Sequence, residues 1–234
     1  MADITYQSFE QGRVTNPEQS ELIKKRLYDY LLYPLAGTTL LSFFSTPVGQ
    51  GVTTALGGVV GSAKSYSDTN LEMANTLPSG KAFLIDSIEV DFEPGSSAAA
   101  NTYIPANVAI FNAVAAAALV AAVNDVNTIG QSGVLELNIL SKNYFRDTPI
   151  NAFPRKAYPT YDAALASNSA TTATLAVVTG RSTGRPMFLD PRITLQAAVN
   201  FDVKLIWPGV VATPSTFNAR MGIILDGFEM RASQ

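Results

Sequence analysis

Residues 83–93 read Phe83-Leu84-Ile85-Asp86-Ser87-Ile88-Glu89-Val90-Asp91-Phe92-Glu93. From Ile88 on, the stretch alternates strictly. Ile88, Val90 and Phe92 fall on one side of an extended chain, and Glu89, Asp91 and Glu93 on the other. That period of two marks a strand with one buried face and one wet face. Pro94-Gly95 closes it with a turn.

The same rhythm recurs on either side. Val134–Ser141 puts Leu135, Leu137 and Ile139 inward, with Glu136 and Asn138 outward. Phe201–Trp207 aligns Phe201, Val203, Leu205 and Trp207, and Pro208-Gly209 ends it. Thr38–Phe44 is a first strand, stopped by Pro47 and Gly49. Arg220–Leu225 alternates, with Asp226-Gly227 as a tight turn into Phe228–Arg231. Thr171–Thr179 is β-rich and Ile193–Gln196 adds a short piece. The connections are a glycine-rich stretch over 49–62, a proline-rich extended loop over 149–160 and a turn-rich segment over Arg181–Pro191.

Two helices are expected. Asn16 caps the first, Pro17 suits its first position and Glu18 its positive end. Leu22, Ile23, Leu27, Tyr30 and Leu31 follow at helical spacing until Pro34 stops the run. The second lies in the Ala-rich stretch 106–126, with Gly130 as its stop. Ala106–Asn124 carries no charge, but its alanines and asparagines favour a buried helix over a membrane span. Seven or eight short strands with no repeat call for a two-sheet sandwich. An all-β, single jelly roll with a helix inserted in a loop fits best. The division is an N-terminal arm and helix over 1–34, flexible over 1–15, and a jelly-roll domain over 35–234.

Composition narrows the function. The 234 residues contain no His and no Cys. That removes Ser–His–Asp and Cys–His chemistry and the main ligands of zinc, copper and haem. Charged residues make up 15% and hydrophobic ones 47%, so the surface is short of charge in the way a subunit interface is. A net charge of −3 leaves no nucleic-acid footprint. The polar opening MADITYQSFEQGRV does not read as a signal peptide. Charge is also segregated. Over residues 65–141 Lys81 is the lone base among eight acids, whereas 142–234 holds ten bases and six acids. Complementary faces between neighbouring subunits would explain this, as would chance and solvated strand faces.

Several segments carry a resemblance. They are Asp68-Thr69-Asn70-Leu71-Glu72-Met73-Ala74, Leu77-Pro78-Ser79-Gly80 before the acidic strand, Gly133-Val134-Leu135-Glu136-Leu137 with Lys142-Asn143-Tyr144, and Pro149 to Pro154. Phe201 to Pro208 and Arg220 to Gly227 complete the set. Together the chain resembles major capsid proteins of small icosahedral, tailless bacteriophages of jelly-roll type, loosely over residues 35–234. The resemblance implies a virion shell subunit that assembles with its own copies as trimers or larger capsomers. It also implies contact with other virion proteins and, in some such phages, an internal membrane beneath the shell. It transfers no catalytic residue.

The remaining candidates each have a plain reading. Glu89, Asp91 and Glu93, with Asp86 nearby, could hold calcium or work as a glycosidase pair. A solvated or subunit-facing strand face is the expected reading, because calcium wants about six to eight oxygens from a loop and both acids would sit on one open face. Lys24-Lys25-Arg26 could touch nucleic acid or lipid headgroups, or simply line a polar helix face. Arg181 and Arg185 could bind an anion or sit in a surface loop. Trp207 belongs in the core unless it serves a lectin-like sugar platform, and Phe43, Phe44, Tyr28 and Tyr30 are packing residues. No residue is assigned a catalytic, cofactor-binding or metal-ligating role. The expectation is a structural, non-enzymatic protein, with a phage host-attachment or lectin-like carbohydrate-binding module as the alternative.

Overall fold

The acidic stretch over 83–93 lies inside β3 (Lys81–Glu93), third of four strands in an antiparallel sheet. Its neighbours are β10 (Ala219–Ala232) and β8 (Met187–Leu195), and β1 (Ser20–Tyr33) closes the far edge, in the order β1-β10-β3-β8. A second antiparallel sheet runs β2-β9-β4-β5, from β2 (Leu40–Phe43), β9 (Phe201–Ile206), β4 (Val134–Ile139) and β5 (Lys142–Pro149). The two sheets pack as a sandwich. A two-stranded ribbon, β6 (Pro159–Asn168) with β7 (Ala173–Ser182), and one helix, α1 (Ala116–Ser132), are inserted between sandwich strands. These elements come from a computed structural model, which describes residues 20–97, 99–103, 116–156, 159–168, 173–182 and 186–232.

The core fills the space between the sheets. From the first come Leu27, Tyr33, Ile88, Val90, Phe92, Ile223 and Leu225; from the second, Phe43, Leu135, Leu137, Phe201, Val203 and Leu205. The alternation read in β3, β4 and β9 is therefore the alternation of the buried face. Trp207 sits just past β9, edge-on to Tyr33 at 5.2 Å, and its Nε1 donates to the Ile129 carbonyl of α1 at 3.1 Å. That bond ties the helix to the end of the sandwich. Asp125 of α1 adds a second tie by accepting the Ser215 backbone N–H at 2.7 Å.

Several expectations need correction. Residues 20–33 are strand β1, paired along their whole length with β10, and not a helix. The inward register runs Ile23, Lys25, Leu27, Asp29, Leu31, Tyr33, so two charged residues interrupt what would have been a plain alternation. The 20–33 part of the presumed arm thus belongs to the sandwich. The arm over 1–15, the cap at Asn16 and Pro17, and Ala106 with the rest of 104–115 lie outside the described residues.

Asp226-Gly227 is not a turn but lies within the long strand β10, opposite a bulge at Asp86 of β3, where the register between the two strands shifts. A Cβ at Gly227 would stand 1.9 Å from the Leu84 carbonyl oxygen, so glycine is needed for the close approach of the two strands. Gly130 does not stop the helix, which runs to Ser132. The proline-rich 149–160 loop holds a short 3-10 turn, Ile150–Ala152, and gives way to β6 at Pro159. Much of Arg181–Pro191 is strand, since β7 extends to Ser182 and β8 starts at Met187. The described residues hold ten strands and one α-helix in place of seven or eight strands and two helices.

Candidate functional site

The polar register of the first sheet, read as wet, is buried. Glu89 and Asp91 are fully inaccessible to solvent. Alternation separates the two faces of a strand but says nothing about what lies over the polar one. Two segments lie over this one. The loop between β2 and β3 crosses the β1 side, and a strap over residues 153–156 crosses the β3 side. The Phe153 carbonyl accepts from the Val90 N–H at 2.8 Å, so the strap continues the sheet where β8 has ended.

Each acid meets a partner from the covering segments or a neighbouring strand. Arg155 reaches both oxygens of Asp91, at 3.0 and 2.9 Å, and the Tyr30 hydroxyl donates to the same carboxylate at 3.0 Å. The Tyr30 ring lies flat on Gly222 of β10, where a Cβ would sit 2.2 Å from the ring. The Arg220 guanidinium stacks on that ring 3.9 Å from its centre. Arg220 also donates to Glu93 at 3.1 Å and to the Thr54 hydroxyl at 3.3 Å. Lys156 gives its backbone N–H to Glu89 at 2.9 Å and its Nζ to Asp226 at 2.8 Å. Lys24 joins Asp226 to Asp86, and Arg192 closes the row on Asp86 at 2.9 Å.

Burial pushes the Asp91 carboxyl up to about 6, against the opposing pull of Arg155. The Tyr30 hydroxyl is pushed up by burial and by Asp91. Burial also acts on Asp68 and Asp226, but hydrogen bonds outweigh it there. Ser65, Thr53 and Thr54 hold Asp68 below its ordinary value, and Lys156 with Lys24 does the same for Asp226. On the inner side, Lys64 Nζ meets Asp29 at 2.6 Å with both groups buried, and the Phe44 N–H donates to Asp29 at 2.7 Å. Burial raises the Asp29 carboxyl, against Lys64.

This layer closes the acids off. Among the described residues no three His, Cys, Asp or Glu are grouped to hold a metal ion. A cavity of about 210 Å³ lies under α1, walled by Val90, Phe92, Val126, Ile150, Phe153 and Met221. Arg155 reaches its edge, but Glu89 and Asp91 do not line it. Glu89 Oε1 and Ser87 Oγ have no hydrogen-bond partner among the described residues.

The other candidates are placed as follows. Lys24, Lys25 and Arg26 are all paired, with Asp86 and Asp226, with Glu229, and with Asp226 in turn, so the basic run is neutralised at the edge strand. Arg181 stands opposite Thr160 in the ribbon, and Arg185 lies outside the described residues. Trp207, Phe43 and Phe44 are buried, Tyr30 is buried in the charge layer and Tyr28 is partly exposed.

Sequence reasoning missed Arg155, Arg220, Lys156 and the Asp29–Lys64 pair. The segregation of charge was the signal for the first three. Acids of the acidic stretch meet bases of the later part inside one molecule, as Asp91–Arg155, Glu93–Arg220 and Asp86–Arg192. The complementary faces expected between subunits are to this extent internal.

Residues 49–63 of the β2–β3 loop carry no charge, and Val52, Leu56, Val59 and Val60 are exposed there, with Tyr66 exposed just beyond. Compared with protein-family models, curated proteins and solved structures, the chain finds no match.

Proposed function

We propose that this chain is a structural subunit of an icosahedral virus shell, a jelly roll whose activity is to bind its own copies. The observation that carries the reading is the charge-poor surface with its exposed apolar loop, and the strand order supports the jelly roll beneath it. Set aside the β6–β7 ribbon and count the eight sandwich strands along the chain. The sheets then run first-eighth-third-sixth and second-seventh-fourth-fifth, the order left by two Greek keys rolled together. Helix and ribbon enter at loops of this roll, as insertions that leave its sheets intact.

Jelly rolls serve both shell subunits and lectins, and fold alone does not choose between them. The surface favours the shell. Only 15% of residues are charged, many of those charges pair with one another, and large apolar side chains stand exposed on the β2–β3 loop. Trp207 faces the core and offers no sugar platform. A virion location follows from this reading, as does contact with other virion proteins or with a membrane beneath the shell.

Electron microscopy of the purified protein tests it. Concentrated protein forms closed particles or regular capsomers of one size. Isolated single chains at every concentration, together with retention on an immobilised glycan panel, would replace the reading with the carbohydrate-binding one.

A further inference from the structure

We propose that the loop over residues 49–63 is the surface through which copies of this chain meet around a symmetry axis. This rests on the shell-subunit reading and names the contact that reading requires.

The loop is two-sided. Thr53, Thr54 and Ala55 turn inward and are buried, while Val52 is 57% exposed, Leu56 53%, Val59 73% and Val60 67%. The inward side is fixed from beneath. Asp68, fully buried, accepts from the Thr53 hydroxyl at 2.7 Å and the Thr54 N–H at 2.7 Å. The loop is also laced to itself, by Thr53 N–H to the Ser62 carbonyl at 2.6 Å and Lys64 N–H to the Gln50 carbonyl at 3.0 Å. Asn101 holds its tip through the Gly58 carbonyl at 3.0 Å. At its end Lys64 is pinned to Asp29. A loop so held presents its valines in one fixed arrangement, so little entropy is lost when a partner covers them.

Charge and area point to a second copy as that partner. A rotation axis brings like residues together, and like charges there would repel. Between Asp29 and Lys64 no residue is charged. Val52, Leu56, Val59 and Val60, each more than half exposed, form the apolar part of that uncharged stretch, the kind of surface that marks an interaction site. A standard interface takes about 800 Å² from each partner, so these four side chains supply its apolar centre and the surrounding polar residues its rim.

The test uses Val59→Asp/Val60→Asp and, as a milder pair, Val59→Ser/Val60→Ser. Both sites are exposed, so circular dichroism and thermal midpoint stay as in the parent. Light scattering at tens of micromolar gives a multiple of the chain mass for the parent. The Asp pair weakens association at least about a hundredfold and the Ser pair about tenfold. A parent that assembles while the Asp pair assembles equally well overturns this proposal and leaves the shell reading standing. A parent that is monomeric under all conditions removes both. Flotation with neutral phosphatidylcholine vesicles is the second arm. Co-flotation lost in the Asp pair, with particle size unchanged, would assign the loop to a lipid surface instead.

Discussion

Asp91→Asn separates the cost of the buried charge layer from the rest of the fold. Asp91 sits under Arg155 and Tyr30, beside Glu89 and Glu93 of its own strand and Arg220 of β10. Its carboxyl titrates at about 6 in the folded chain, against an ordinary value of 3.8. The native state therefore holds this proton more tightly than the unfolded chain. The contribution to stability is full below pH ~4 and is lost as pH rises to about 6. Two units at 1.36 kcal/mol each give about 3 kcal/mol. Asn is neutral at every pH and close in shape to the protonated acid, so it carries no such loss. The stability of the parent minus that of Asp91→Asn should fall by about 3 kcal/mol between pH 4 and pH 7.5. Urea unfolding read by the fluorescence of Trp207, the only tryptophan, measures this across a pH series. A difference that stays constant with pH, or that grows in favour of the parent, would refute the reasoning.

Three further outcomes follow from packing. Lys64→Met strands the buried Asp29 and should cost about 3–5 kcal/mol, while adding Asp29→Asn recovers most of it, read as a double-mutant cycle in urea. Gly227→Ala drives a methyl group against the Leu84 carbonyl and should lower stability by about 3 kcal/mol, seen as a fall in the urea midpoint. Val203→Asp buries an unpaired charge in the core and prevents folding, whereas Lys204→Asp on the opposite face folds with a native circular dichroism spectrum.

What was legible in the sequence is what local periodicity encodes. β4 and β9 could be read because every inward position is apolar: Leu135 and Leu137, then Phe201, Val203 and Leu205, all buried. β1 could not. Its inward positions 25 and 29 hold Lys and Asp, and their partners Glu229 and Lys64 lie 204 and 35 residues away. Without those partners in view, Leu22, Ile23, Leu27, Tyr30 and Leu31 suggest a helix. β10 was cut in two because Asp-Gly signals a turn, when Gly227 is there to let two strands approach. Gly130 suggested a helix end, yet it stands with open space beside it and is tolerated at about 1 kcal/mol. In the charge layer the acids were visible as a stripe. The covering strap was not, because Arg155 and Lys156 sit in a proline-rich segment with no periodicity of its own.

The mass of the purified protein by light scattering, at tens of micromolar and across salt and pH, tests the central claim most directly. A shell subunit gives trimers, capsomers or closed particles, and dilution returns them toward single chains. A strictly monomeric species throughout would contradict the account.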